Sequence, residues 1–281
     1  MRRRLAAVAL AVLATTLTGC APELATQLPA GVSVSIRQNR DDYGPRRIEV
    51  LVDNAAATPL DLWEVRLDSP AFAEPSWTSE PVTIRPGTTT ALRLQLAGAD
   101  CGAADPGAAV RLAFTRGDVS GTATVTPDDP FDSIDRIHGE DCLAEAVAGV
   151  VEIAPADAIS VVDEDGTAVA HLRVVVTPTG APGAVTIDGI ARTILLRPAS
   201  GAGTWPVGVR LDSGSPPLTL DLPIVPNNCN THTVSEDKRG TFLPIAVAVE
   251  GGATGVVSIG VDDGVRGALY DYIASDYCGW E

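Results

Sequence analysis

Two stretches of this sequence follow one plan, and that plan limits the fold more than any other feature. In the first, the alternating run TALRLQLAGAD ends at Cys101. A second run, GTATV, then leads through Asp128-Asp129 and a short segment to Cys142. In the second, PLTLDLPIVPNN ends at Cys229, and GVVSIGV leads through Asp262-Asp263 to Cys278. The cysteines of each pair are 41 and 49 residues apart. A motif that returns once, with strand-like runs at the same places, reads as a duplicated domain of ~115–130 residues. Two copies are too few for a solenoid, which needs at least three.

The runs between these landmarks alternate apolar and polar residues with period two, the mark of half-buried strands. The first half offers 32–36, 48–52, 60–67, 81–84, 91–96, 109–114 and 121–125. The second offers 158–162, 169–176, 184–190, 193–197, 207–211, 218–225, 242–249 and 255–261. LDLWEVRL (60–67) breaks the alternation, which predicts a strand covered on both sides. Asp165-Gly166 marks a hairpin turn. Many short strands in so few residues predict an all-β chain of two tandem immunoglobulin-like β-sandwich domains. A short terminal helix closes each domain. In DDPFDSIDRIHGEDC, Asp129 suits a cap and Pro130 the first helical position, with Phe131, Ile134 and Ile137 on one face. The segment VRGALYDYIASDYC is its counterpart. The run Asn54, small residues, strand, then Ile84-Arg85-Pro86-Gly87 resembles bacterial immunoglobulin-like modules, in architecture only.

The N-terminus carries an address. Arg2, Arg3 and Arg4 precede a 13-residue apolar stretch from Leu5 to Leu17, too short for a bilayer span of ~20 residues. Leu17-Thr18-Gly19-Cys20 follows and resembles the lipobox of bacterial lipoproteins. That resemblance implies a signal peptide over 1–19, cleavage before Cys20 and a lipid on the Cys20 thiol. The protein would then be anchored at the extracytoplasmic face of the cell membrane. Residues 20–30 read as a tether, 31–142 as the first domain and 143–281 as the second. Cleavage removes three arginines, so the formal charge of −16 falls to −19. With a pI near 4.5, the chain has no basic stripe for nucleic acid.

With Cys20 assigned to the lipid, four cysteines remain, an even number that suits disulfides in an exported chain. Four allow three pairings. The repeat favours Cys101–Cys142 and Cys229–Cys278, each stabilising by roughly 4 kcal/mol in the loop-entropy model. No pair has zinc-site spacing.

Familiar catalytic motifs are missing: GxSxG, HExxH, a Walker loop and a dinucleotide fingerprint. Ser235 and Lys238 match SxxK, but the companion SDN and KTG motifs are absent. His171 lies mid-strand as a solvent-facing or cross-strand residue, and His138 is placed to cap a helix C-terminus. Asp163-Glu164-Asp165-Gly166 is nearest to a calcium loop but reads as a hairpin. Trp63, Trp77 and Trp205 read as core.

The loop CNTHTVSEDKRGTFLP, residues 229–244, stands apart. It holds the only lysine, one of three histidines and a switch from acidic to basic residues. His232, Glu236, Asp237, Lys238 and Arg239 are its candidate binding residues. The pattern C-x-x-H-x-x-x-E-D-K-x-G resembles a stretch of secreted proteins and lipoproteins of actinobacteria with tandem immunoglobulin-like domains, and implies no activity. The functional expectation is non-catalytic binding or scaffolding at the outer face of the membrane, with an envelope protein as a possible partner. Alternatives are an accessory subunit that binds a small ligand or metal ion through 229–244, and an enzyme with a non-obvious site. No cofactor is expected.

Overall fold

The computed structural model describes residues 24–104 and 107–280. The signal peptide and Cys20 lie outside the described residues. The first half forms β1 (Val32–Arg37), α1 (Arg40–Tyr43), β2 (Arg47–Asn54), β3 (Leu60–Asp68), β4 (Ser76–Thr78), β5 (Val82–Ile84), β6 (Thr88–Gln95), β7 (Ala109–Arg116) and β8 (Val119–Val125). Helix α2 (Ser133–Ala148) follows. The second half forms β9 (Val151–Glu164), β10 (Thr167–Pro178), β11 (Ala184–Ala191), β12 (Leu196–Pro198), β13 (Thr204–Asp212), β14 (Leu218–Pro226), α3 (Thr231–Ser235), β15 (Phe242–Val249) and β16 (Thr254–Gly260). It closes with α4 (Asp263–Asp271) and a π-helical turn, Tyr272–Tyr277.

Each half is an immunoglobulin-like sandwich of two antiparallel sheets. In the first, the orders are β1-β2-β6 and β4-β3-β7-β8, with β5 also on β3. In the second, they are β9-β10-β14-β12 and β13-β11-β15-β16. Strand for strand, β1, β2, β3, β6, β7 and β8 correspond to β9, β10, β11, β14, β15 and β16. The inner faces of each pair of sheets supply a separate core. Ile48, Val50, Leu62, Leu94, Leu112 and Phe114 fill the first. Leu172, Val174, Ile187, Leu222, Ile245 and Val247 fill the second. The duplication extends to irregularities: β3 has a bulge between Leu62 and Glu64, and β11 has one between Ile187 and Gly189.

That bulge explains the broken pattern of LDLWEVRL. The extra residue resets the alternation, so Leu62 and Val65 both point inward while Trp63 turns outward and is 51% exposed. The outer side of β3 is therefore not covered, contrary to the sequence expectation. Trp77, opposite Arg66 on the short edge strand β4, is also exposed, at 61%. Of the three tryptophans assigned to cores, only Trp205 is buried, with its Nε1 donating to Pro223 O at 2.9 Å. The expected strand 193–197 shrinks to β12, because the Thr193 hydroxyl accepts from Leu195 N and Leu196 N and folds a turn there. At the β9–β10 hairpin, Asp165 and Gly166 have φ of 53° and 84°, the geometry an Asp-Gly turn supplies.

Helix α2 is not the short piece expected. It runs for 16 residues and passes through the expected domain boundary at 142/143. It starts at Ser133, so Pro130 and an exposed Phe131 precede it, while the Asp129 carboxylate still accepts from Ile134 N at 3.1 Å. Ile134 and Ile137 enter the first core, and Leu143 and Val147 enter the second. Six residues from Ile137 to Leu143 turn the helix by about 240° beyond full turns, so the two apolar stripes face different directions. One helix thus joins two cores.

Several contacts hold α2 to the first sandwich. The Cys101–Cys142 disulfide closes with Cα atoms 5.5 Å apart. Arg46 donates to Asp141 at 2.5 Å and to Ala97 O at 2.7 Å, and Arg136 to Gln38 at 2.9 Å. His138 lies mid-helix rather than at its C-terminus, with Nε2 2.9 Å from Asp100 O. On the other side Leu143 lies against Gly255 of β16, where a Cβ would stand 2.8 Å from its Cδ2. The second disulfide, Cys229–Cys278, has its Cα atoms 5.6 Å apart.

The start of the chain also differs from a free tether. Ala25 N donates to Ser120 O at 3.0 Å, and Thr122 N donates to Ala25 O at 2.8 Å. Residues 24–30 therefore belong to the first sandwich.

Candidate functional site

The 229–244 loop connects β14 to β15 and leans on the first domain. Cys229 ties its start to the C-terminal helix, and Asn230 caps α3 by accepting from Thr233 N at 3.0 Å. The Ser235 hydroxyl donates to His232 O at 3.0 Å, and no hydrogen bond joins it to Lys238, so the SxxK match has no catalytic geometry.

Asp237 is a structural residue. Its two carboxylate oxygens accept from Gly240 N at 2.8 and 2.9 Å, and Tyr270 OH donates to it at 3.2 Å. Burial and the Asp237 charge push the Tyr270 phenol above its usual range. Gly240 is needed for close packing, since a Cβ there would stand 2.4 Å from the Leu195 Cβ. Its carbonyl accepts from the Thr193 hydroxyl at 2.7 Å.

Arg239 makes the junction between domains. Its guanidinium lies 3.6 Å from the centroid of the Tyr43 ring, a cation–π contact. Phe242 meets the same ring edge-on at 5.2 Å. Tyr43 belongs to α1, a single turn that would be marginal alone. A charge cluster fixes it. Asp42 is fully buried and pairs with Arg93 at 3.2 Å and Arg47 at 3.4 Å. Glu49, also buried, pairs with Arg37 at 2.9 Å and Arg93 at 3.2 Å and accepts from Asn39 at 2.7 Å. Burial pushes the Asp42 carboxyl above its ordinary value, against the pull of Arg93.

What remains of the loop is His232, Glu236 and Lys238, whose side chains make no hydrogen bond or ion pair among the described residues. They line a cleft of about 570 Å³ at the junction, with Arg40 of α1 and an exposed Ile194 on its walls. Among the described residues neither Lys238 nor Arg40 has a side-chain hydrogen bond or ion pair. Lys238 also borders a neighbouring recess with Asp41 and Arg266, whose guanidinium pairs with Asp263. The cleft thus collects two unpaired cations, one from each domain, with a histidine at hand. Glu236 is its one unengaged acid, so a single anionic group is the ligand it suits.

The structure divides the five loop residues singled out by sequence. All five line the cleft, but the side chains of Asp237 and Arg239 are also committed to structure, while those of His232, Glu236 and Lys238 are not. Arg40 carries no motif, and only the fold brings it there. Elsewhere, a larger hollow of about 650 Å³ in the first sandwich is lined by Asp68, Pro70, Phe72 and Pro75 and offers little chemistry. His171 pairs across strands with Asp221 at 2.8 Å and Glu164 at 3.1 Å. Among the described residues no three of His, Cys, Asp and Glu are grouped to hold a metal ion. None of the described helices is long and apolar enough to cross a membrane.

No protein-family model matches the chain, and neither does any curated protein. Solved structures similar to it include the calcium binding domain CBD12 of CALX1.1, at 11% identity and a TM-score of 0.21, covering 72% of this chain and 73% of that one. Another is red sea bream transglutaminase, at 10% identity and a TM-score of 0.23, covering 84% of this chain but 32% of the enzyme. A third is the CsuC–CsuE chaperone–adhesion subunit complex of Acinetobacter baumannii pili, at 12% identity and a TM-score of 0.17, covering 78% and 93%. At these scores the likeness is remote.

Proposed function

We propose that this chain is a lipid-anchored protein of the cell envelope that works by binding rather than by turnover. It is held at the outer face of the membrane through Cys20 and takes an anionic ligand in the cleft between its domains. The observation that carries the binding reading is the convergence of Lys238 and Arg40, unpaired and from different domains, on one cleft in a chain with a large acidic excess. Long-range repulsion from that excess disfavours anions elsewhere on the surface, so a site for one must gather its cations locally. His232 stands beside them, and Glu236 limits the charge the cleft accepts. The anionic group belongs to a small molecule or to an acidic segment of an envelope protein.

The anchor rests on Leu17-Thr18-Gly19-Cys20 and the basic and apolar residues before it. A lipid adds ~0.8 kcal/mol per buried CH₂, and two chains or more make attachment stable. Two experiments test the proposal. Replacing Cys20→Ser should move the protein from the membrane fraction to the medium, and retention in the membrane would contradict the anchor. A thermal-shift series with inorganic phosphate, citrate and an acidic peptide should raise the melting temperature of the wild type and leave Lys238→Ala unmoved. Equal shifts in both proteins, or none in the wild type, would contradict the site.

A further inference from the structure

The way residues 24–30 dock decides which end of the molecule a lipid on Cys20 would hold against the membrane. The Ala25–Gly121 bridge is parallel, so Leu24 lies on the side of Ala25 toward the start of β8 and the β7–β8 turn at Gly117-Asp118. Gly121 permits this approach, because a Cβ there would stand 2.2 Å from Ala25 O. Arg116, at the same turn, donates to Ala30 O at 2.9 Å and to Asn54 Oδ1 at 2.7 Å, pinning the other end of the segment. From Cys20 to Ala25 is five residue steps, roughly 18 Å when fully extended. A lipid on Cys20 therefore has little slack with which to lift the sandwich away.

The same pole carries exposed apolar side chains. Leu24 is 65% exposed and Val119 52%. Trp63, turned outward by its bulge, donates from Nε1 to Thr115 Oγ1 at 3.1 Å. Thr115 in turn hydrogen-bonds the Ser120 hydroxyl, in the strand on which Ala25 docks. Trp63 is thus a large ring fixed by a polar handle, the kind of side chain enriched at membrane–water interfaces.

We propose that Leu24, Val119 and Trp63 rest on the lipid bilayer in the acylated protein, with the first sandwich lying against the membrane by its β7–β8 pole. This rests on the reading of Cys20 as lipidated. The opposite pole, where α1 and α2 begin, then holds the second sandwich and the Lys238–Arg40 cleft away from the surface. The first domain acts as the spacer that the tether is too short to provide.

The test uses the full acylated chain in phosphatidylcholine–phosphatidylglycerol vesicles containing brominated lipid, which quenches nearby tryptophan. The wild type should be quenched. Trp63→Phe should lose more than half of that quenching, and Trp77→Phe should keep it. Gly121→Val, which displaces Ala25 and lengthens the leash, should lower quenching while acylation and co-sedimentation stay unchanged. Val119→Glu, an exposed substitution that spares the fold, should lower it as well. Acylated, vesicle-bound protein whose Trp63 is not quenched overturns the orientation alone and leaves the patch to another partner. A chain with no acyl mass on Cys20 that fails to co-sediment overturns the anchor, and the orientation with it.

Discussion

Tyr272 closes the second sandwich. It is fully buried, and its hydroxyl lies 2.8 Å from Ala168 O and 3.0 Å from Ile224 O, so one side chain joins the C-terminal turn to two strands. Burial pushes its phenol up to about 12, so it stays a donor at any physiological pH. Tyr272→Phe keeps the ring and removes the single hydroxyl proton that the two carbonyls share. It should cost about 1–3 kcal/mol in urea unfolding, whereas an unchanged midpoint would mean that water reaches the carbonyls. His171 gives a pH signature. Its hydrogen bond to Asp221, helped by Glu164, raises its pKa above 6.5 against a smaller desolvation effect. The folded state therefore holds this proton more tightly than the unfolded chain. The stabilisation is complete below 6.5 and disappears as pH rises through the raised value. Urea midpoints of the wild type should fall across that window, and those of His171→Asn should fall less. Equal slopes would show that the pairs are too exposed to matter.

Helix α2 sets how the two sandwiches stand to one another. Its two apolar stripes each complete a different core, and Leu143 lies against a glycine that leaves it room. Leu143→Ala should cost about 2–5 kcal/mol, and calorimetry should show the loss in the second sandwich, with the Cys101–Cys142 staple still holding the helix to the first. Loss confined to the first sandwich would refute this division. The same helix shows what the sequence could and could not reveal. Ile134 and Ile137 announce a helix, but the stripe then changes face, so periodicity ends near Cys142 although the helix continues to Ala148. In the same way LDLWEVRL announces a strand, yet period two has no means of separating a bulge from two-sided cover. Strands lined by one sheet's core were legible because alternation records burial directly. Elements shaped by two neighbours at once were not.

At the scale of the whole molecule, duplication was the most legible feature, because repeated cysteines and strand-like runs survive in the sequence itself. The two sandwiches share strand order and even a bulge. The proposed binding surface is the place where the copies differ. The 229–244 loop could be singled out by its lone lysine and its charge switch, yet which of its residues are structural depended on tertiary partners. Arg239 is engaged by Tyr43, and Asp237 by Gly240 and Tyr270. Arg40 could not be found from the sequence, since it lies in the other domain and belongs to no motif. In the proposed function Arg40 and Lys238 meet one anion across the junction. Calorimetric titration of inorganic phosphate into the wild type, Arg40→Ala, Lys238→Ala and the double variant tests it most directly. Each single change should weaken binding, and the double should lose less than the two losses added, as for residues sharing one ligand. Affinity unchanged by both substitutions, or independent losses that simply add, would contradict it.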